Sequence, residues 1–173
     1  MRKVILYIAA SLDGKIARKD DSIDWLPDID GEDYGYEPFY DSTDTLLMGY
    51  KTYEVCVGFP EWHYAGKKVL IFSRNPEKTV VPQAELLTDD VAETIRRLKA
   101  EPGKNIWLVG GGELVRQAHD AGLIDEYIVT LIPVILGEGV ELFPAIRREQ
   151  ALTLVKQKAY PNGCVMLYFE PKP

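Results

Sequence analysis

The residues most clearly suited to chemistry are the three glycines of Val109-Gly110-Gly111-Gly112-Glu113-Leu114. They follow an apolar segment, 105–109, and lead directly into a helical pattern. Strand, bare backbone and helix in that order suit an anion. Glycine lets the main chain approach a phosphate closely, and the helix start offers unpaired N–H groups and the positive end of the dipole. The same run could equally form a tight strand-to-helix turn with no ligand, so its meaning depends on the rest of the chain.

The elements that must position this turn read as one α/β unit spanning residues 1–173. Apolar strands are expected at 4–9, 45–48, Lys68–Phe72, Ala84–Leu87 and 106–109. Thr88, Asp89 and Asp90 supply N-cap candidates for a helix whose Val91, Ile95 and Leu98 share one face. The helix after the glycines carries Leu114, Val115, Ala118 and Ala121 on one side and stops at Gly122. Segment 126–135 is β-rich and interrupted at Pro133. Segments 152–160 and 164–170, joined by Pro161-Asn162-Gly163, form a terminal antiparallel hairpin. The expected architecture is a mixed, mainly parallel central sheet flanked by helices.

Composition narrows the function classes. A formal charge of −7 with no basic stripe argues against a nucleic-acid surface. No apolar run is long enough to span a bilayer, and the N-terminal segment is expected to be a buried strand rather than a signal peptide. Cys56 and Cys164 lack metal-type spacing, and His63 and His119 stand alone, so no metal site is expected. Reduced, buried thiols fit a cytoplasmic protein.

Several short motifs, in order, resemble the dihydrofolate-reductase-like fold, most closely its riboflavin-biosynthesis reductase branch. Ser11-Leu12-Asp13-Gly14-Lys15-Ile16-Ala17 is similar to that branch's opening Ser-x-Asp-Gly-x-Ile-Ala. Met48-Gly49-Tyr50-Lys51-Thr52-Tyr53-Glu54 resembles its Met-Gly-Arg-x-Thr-Trp-Glu segment. Gly66-Lys67-Lys68 through Ser73-Arg74 is similar to its strand ending in Ser-Arg, and the triple glycine sits at its pyrophosphate turn. Asp125-Glu126-Tyr127, Pro133 through Gly139, and Leu142-Phe143 resemble its C-terminal signature.

The resemblance implies an NADPH-dependent reductase of a small heterocyclic or ribosylaminopyrimidine-type substrate, acting as a homodimer. It implies cofactor contacts at Gly110, Gly111 and Gly112, with Glu113 and Leu114 opening the helix beyond. Gly49 and Thr52 would hold another part of the phosphate chain, and Ser73 and Arg74 the adenosine ribose phosphate. Ala10 and Ile16 would line the nicotinamide pocket. Plain turn and cap roles for Gly49, Thr52, Arg74 and Asp13 are the alternatives. Tyr50 replaces the branch's arginine, so phosphate recognition rests on Lys51 and Arg74. Lys67 replaces the arginine with which folate reductases clamp a carboxylate, and lysine lacks the planar fork.

The proton donor is open. Asp30, Glu32, Asp33 and Glu37 lie in the stretch where folate reductases carry their acid, and counting from Gly49 favours Asp33. Asp13 is the second candidate, beside the nicotinamide region of the resembling branch. Gly35 and Pro38 make that stretch a poor regular helix. The 173 residues hold no zinc motif of a deaminase, which leaves room for a paralogue with another substrate. The alternative function is a nucleotide-binding or regulatory module without turnover.

Overall fold

The computed structural model describes residues 1–28 and 31–173. In chain order the first half contains β1 (Val4–Ser11), β2 (Lys15–Ala17), α1 (Tyr36–Asp41), β3 (Thr43–Gly49), α2 (Tyr50–Val57), β4 (Lys68–Phe72) and β5 (Ala84–Leu87). The second half adds α3 (Val91–Ala100), β6 (Asn105–Gly110), α4 (Gly112–Asp120), β7 (Glu126–Ile132), β8 (Val140–Glu141), β9 (Leu152–Ala159) and β10 (Val165–Pro171).

Eight strands form one sheet in the order β5-β4-β3-β6-β1-β7-β10-β9. The first six in that order run parallel, and β10 and β9 close the far edge antiparallel, as the alternating hairpin pattern predicts. β2 and β8 pair separately as a short ribbon beside the C-terminal end of β1. Among the described residues no helix is long and apolar enough to cross a membrane.

Strand periodicity divides the core between the two faces of the sheet. Leu6, Leu47 and Leu108 pack under α3 and α4 through Val91, Ile95, Leu98, Leu114, Val115 and Ala118. Leu46, Met48, Ile71 and Trp107 meet α1 and α2 through Phe39, Tyr53 and Cys56. The N-terminal ends of the strands are tied from below by buried Arg2. Its guanidinium donates to the Lys104 carbonyl at 2.6 Å, to Thr45 Oγ1 at 2.7 Å, and to Asp44. Met1-Arg2-Lys3 therefore leads into a locked interior strand.

Three local details follow from residue chemistry. Asp90 caps α3, its Oδ1 accepting from the Glu93 amide at 2.9 Å. Helix α1 forms despite Gly35 and Pro38. Gly35 precedes it at φ 68, and Pro38 falls in the first turn, where a missing N–H breaks no helical bond. Phe39 anchors it in the core. β7 ends at Ile132, before Pro133.

Candidate active-site cleft

The sheet order explains how separated motifs meet. β4, β3 and β6 are parallel neighbours, with Gly49 beside Phe72 and Met48 beside Gly110 in register. The turns leaving their C-terminal ends therefore lie side by side. From β3 the chain goes to β4 on one side, whereas from β6 it passes β1 to reach β7 on the other. Such a divergence opens a crevice at the C-terminal ends of parallel strands.

That crevice is a cleft of about 900 Å³. Its lining includes Gly49, Lys51, Thr52, Ser73, Arg74, Gly110, Gly111, Gly112, Glu113, Leu114 and Ile16, eleven of the twelve residues expected around a cofactor. The twelfth, Ala10, is a correction. Successive strand residues face opposite sides, and Ala10 is 1% exposed within the core while Ala9 lines the cleft.

The glycine end is built from two helix starts. Gly49 is the N-cap of α2 and Gly111 that of α4, and neither start has a side-chain cap, unlike that of α3. First-turn N–H groups at both starts are thus left to other acceptors. Thr52 is not the cap, since it is the third residue of α2. A Cβ built on Gly111 would come 3.3 Å from Thr52 Oγ1, and one on Gly49 would lie 3.7 Å from the Gly111 nitrogen. Gly110, at φ +126, would bring a Cβ 3.3 Å from Ile8. The absence of side chains therefore keeps this cradle open, and its N–H groups and dipoles fit the diphosphate of a dinucleotide. Gly112 has a separate role, because a Cβ there would collide with the Glu141 carbonyl.

Arg74 is 89% exposed, and its guanidinium reaches Glu113 Oε1 at 3.4 Å. Arg116, Gln117 and Arg74 hold the Glu113 carboxyl below its ordinary range, with the Arg116 hydrogen bond the largest cause. Ser73 closes a local turn, its Oγ accepting from the Asn75 amide at 3.0 Å. Lys51 Nζ stands 3.9 Å from Asp21 across the cleft mouth.

The other end of the cleft was not singled out by sequence reasoning. Tyr7, Val55, Cys56, Phe59, Tyr64 and Trp107 line it, with Ile23 and Leu26. The Trp107 indole N–H donates to the Tyr7 carbonyl at 3.1 Å, and the Tyr7 hydroxyl donates to the Tyr34 carbonyl at 2.9 Å. Tyr64 meets Trp107 edge-on at 5.9 Å, and its hydroxyl lies 3.5 Å from Cys56 Sγ. Burial pushes the Tyr7 and Tyr64 hydroxyls and the Cys56 thiol up, so all three stay neutral at physiological pH.

Neither expected acid reaches this cleft. Asp13 Oδ1 accepts from Ser11 Oγ at 2.6 Å and the Leu136 amide at 3.0 Å, and Oδ2 accepts from the Gly137 amide at 2.8 Å. The Ser11 hydrogen bond, then the Leu136 amide, bring its carboxyl down to about 2. An ionised clamp cannot donate a proton at neutral pH, so Asp13 is a loop fastener. Asp33 is exposed, and its Oδ1 accepts from the Gly35 amide at 2.8 Å in the turn before α1. Glu32 and Glu37 also lie outside the lining, and Asp30 falls outside the described residues. Lys67 is likewise not a substrate clamp. Its Nζ donates to the Tyr40 and Thr43 carbonyls at 2.8 and 2.7 Å, fixing the end of α1.

Comparison with known proteins agrees with this geometry. The family model described as the RibD C-terminal domain matches residues 2–166. YwjB of Bacillus subtilis (strain 168) is 41% identical over 169 residues, covering 96% of this chain and 97% of that protein. A crystal structure from Shewanella sp. PV-4, provisionally named a riboflavin biosynthesis protein, superposes with TM-score 0.86 at 29% identity over 99% of both chains. The diaminohydroxyphosphoribosylaminopyrimidine deaminase/5-amino-6-(5-phosphoribosylamino)uracil reductase of Thermotoga maritima gives TM-score 0.74 at 16% identity, over 99% of this chain and 57% of that one. The likeness to the Thermotoga protein is one of fold. The dihydrofolate-reductase-like architecture expected from the motifs is the one this chain adopts.

Proposed function

Because the chain belongs to the RibD C-terminal domain family, we propose that it is an NADPH-dependent reductase of a small heterocyclic substrate, of the type met in riboflavin biosynthesis. The observation that carries this reading is the pair of uncapped, glycine-started helices, α2 and α4, abutting at one cleft mouth. When bound, NADPH supplies a hydride to the carbon of a C=N or C=O bond and leaves as NADP⁺, while the heteroatom takes up a proton. The protein's part is binding and orientation. Amides at the starts of α2 and α4 hold the diphosphate, with the Thr52 hydroxyl beside them. Arg74, at the end of β4, reaches the phosphate that distinguishes NADPH from NADH. Ala9 and Ile16 give the nicotinamide an apolar wall, with the small side chain of Ala9 leaving room for the ring.

With Asp13 fastened and Asp33 off the cleft, no carboxylate lines the aromatic end among the described residues. The proton then comes from water or from a neutral hydroxyl. The same observation favours a second reading, a nucleotide-binding module without turnover. Oxidation of NADPH in the presence of any member of a pyrimidine and pterin panel supports the reductase and excludes the module.

The partner we propose is a second copy of the chain. β9 is an eight-residue edge strand with Leu154 and Val155 exposed, and pairing β9 with its counterpart would extend the sheet. Light scattering that gave a monomer mass at micromolar concentration would remove this element.

A further inference from the structure

The geometry points to a substrate that is an uncharged, flat ring system rather than a phosphorylated or carboxylated one. This rests on the reductase reading and sets the substrate apart from the phosphorylated pyrimidine in the name of the Thermotoga protein. The charged lining residues, Asp21, Lys51, Arg74 and Glu113, are gathered at the glycine end, where Lys51 stands in the first turn of α2 and Glu113 in that of α4.

Moving along α2, the lining changes from Thr52 to Val55 and Cys56, then to Phe59 just past the helix. At about 1.5 Å per residue, Phe59 lies roughly 10 Å beyond Thr52. β6 runs the same gradient, with Trp107 about 10 Å before Gly110 at roughly 3.3 Å per residue. Among the described residues no lysine or arginine lines this second end. A phosphate or carboxylate lodged there would lose its water and gain no counter-charge, a large penalty.

The polar atoms of the aromatic walls are also committed. Trp107 and Tyr7 use their N–H and O–H on main-chain carbonyls and so present ring surface to the cleft. Ring surface of this kind favours flat, polarisable ligands by offset or edge contact. The Tyr64 hydroxyl differs, since its contact is the Cys56 thiol at 3.5 Å, weak both as donor and as acceptor. It is the polar handle available to a ring nitrogen or carbonyl oxygen at the substrate's edge.

The test is a matched pair of fluorescent probes, pterin and pterin-6-carboxylate, titrated into the NADPH-loaded protein and into the protein alone. The expected result is at least tenfold tighter binding of pterin. Phe59→Lys, at a position 41% exposed and so tolerant of the change, is expected to shrink or reverse that preference, and Val55→Lys to do the same from the helix. Thermal unfolding verifies that each variant folds. Equal or tighter binding of the carboxylate by the native protein, no pterin binding up to its solubility limit, or an unchanged ratio in both folded variants overturns the inference. Failure of the reductase reading is distinguishable: NADPH itself then does not bind, while the pterin preference of the protein alone still reads the aromatic end.

Discussion

The two ends of the cleft solve opposite problems with the same strands and helices. At one end, Gly49, Gly110 and Gly111 carry no side chains, which leaves main-chain N–H groups and the positive ends of two helix dipoles facing the cleft without a side-chain cap. At the other, Tyr7, Trp107 and Phe59 line the wall with rings, and among the described residues the uncommitted side-chain polarity is the Tyr64 hydroxyl with the Cys56 thiol beside it. A cofactor and its substrate need both kinds of surface side by side, because a diphosphate is charged and a heterocyclic substrate is flat. Crossing from one environment to the other takes about two turns of α2.

Variants at single positions can separate the two ends. The largest effect is expected from Gly49→Val. Its φ of −72° and ψ of 157° suit any residue, so the fold is kept, yet the added methyls would crowd the Gly111 amide. Loss of one or two charge-assisted hydrogen bonds at roughly 1.5–3 kcal/mol each weakens NADPH about 100-fold, read by calorimetry, with pterin binding unchanged. Arg74→Ala comes next. It should weaken NADPH about tenfold and leave NADH as it was, since the guanidinium addresses only the extra phosphate. An equal loss for both cofactors would remove Arg74 from cofactor discrimination.

Phe59→Ala probes the aromatic end. Pterin affinity should fall about three- to tenfold, as expected for one aromatic contact, while NADPH affinity holds. The smallest effect is Asp13→Asn, which loosens the loop beside the cleft and lowers the unfolding temperature slightly at neutral pH. The folded carboxyl titrates near 2 against an ordinary 3.8, so its stabilisation is complete above 3.8 and is lost as the pH falls toward 2. The native and variant proteins should converge over that window. A gap that persisted at lower pH would show that the charge is not what fastens the loop.

The same contrast explains what was legible in the chain. Glycines, a hydroxyl and an arginine directly after apolar strands are local signals, and parallel packing necessarily gathers strand ends, so the glycine end could be read from short motifs. Trp107 and Cys56 have types and spacings that read as core, and in part they are core, packed with Leu46 and Met48. Their second role as cleft wall depends on where α2 crosses the sheet, which periodicity does not encode. Ala10 was one residue off because the motif fixed the region, whereas strand alternation selects Ala9. Asp13 stood out as a carboxylate in a motif, but its fate was set by amides 123 and 124 residues away. Asp33 went to a local turn that its own neighbours, Tyr34 and Gly35, define.

On the proposed reading, the two glycine-started helices hold a phosphorylated dinucleotide. Isothermal titration of the native protein with NADPH and with NADH tests it most directly. Sub-millimolar binding of NADPH, with NADH weaker, is the predicted result. Failure of both to bind in that range would contradict the account.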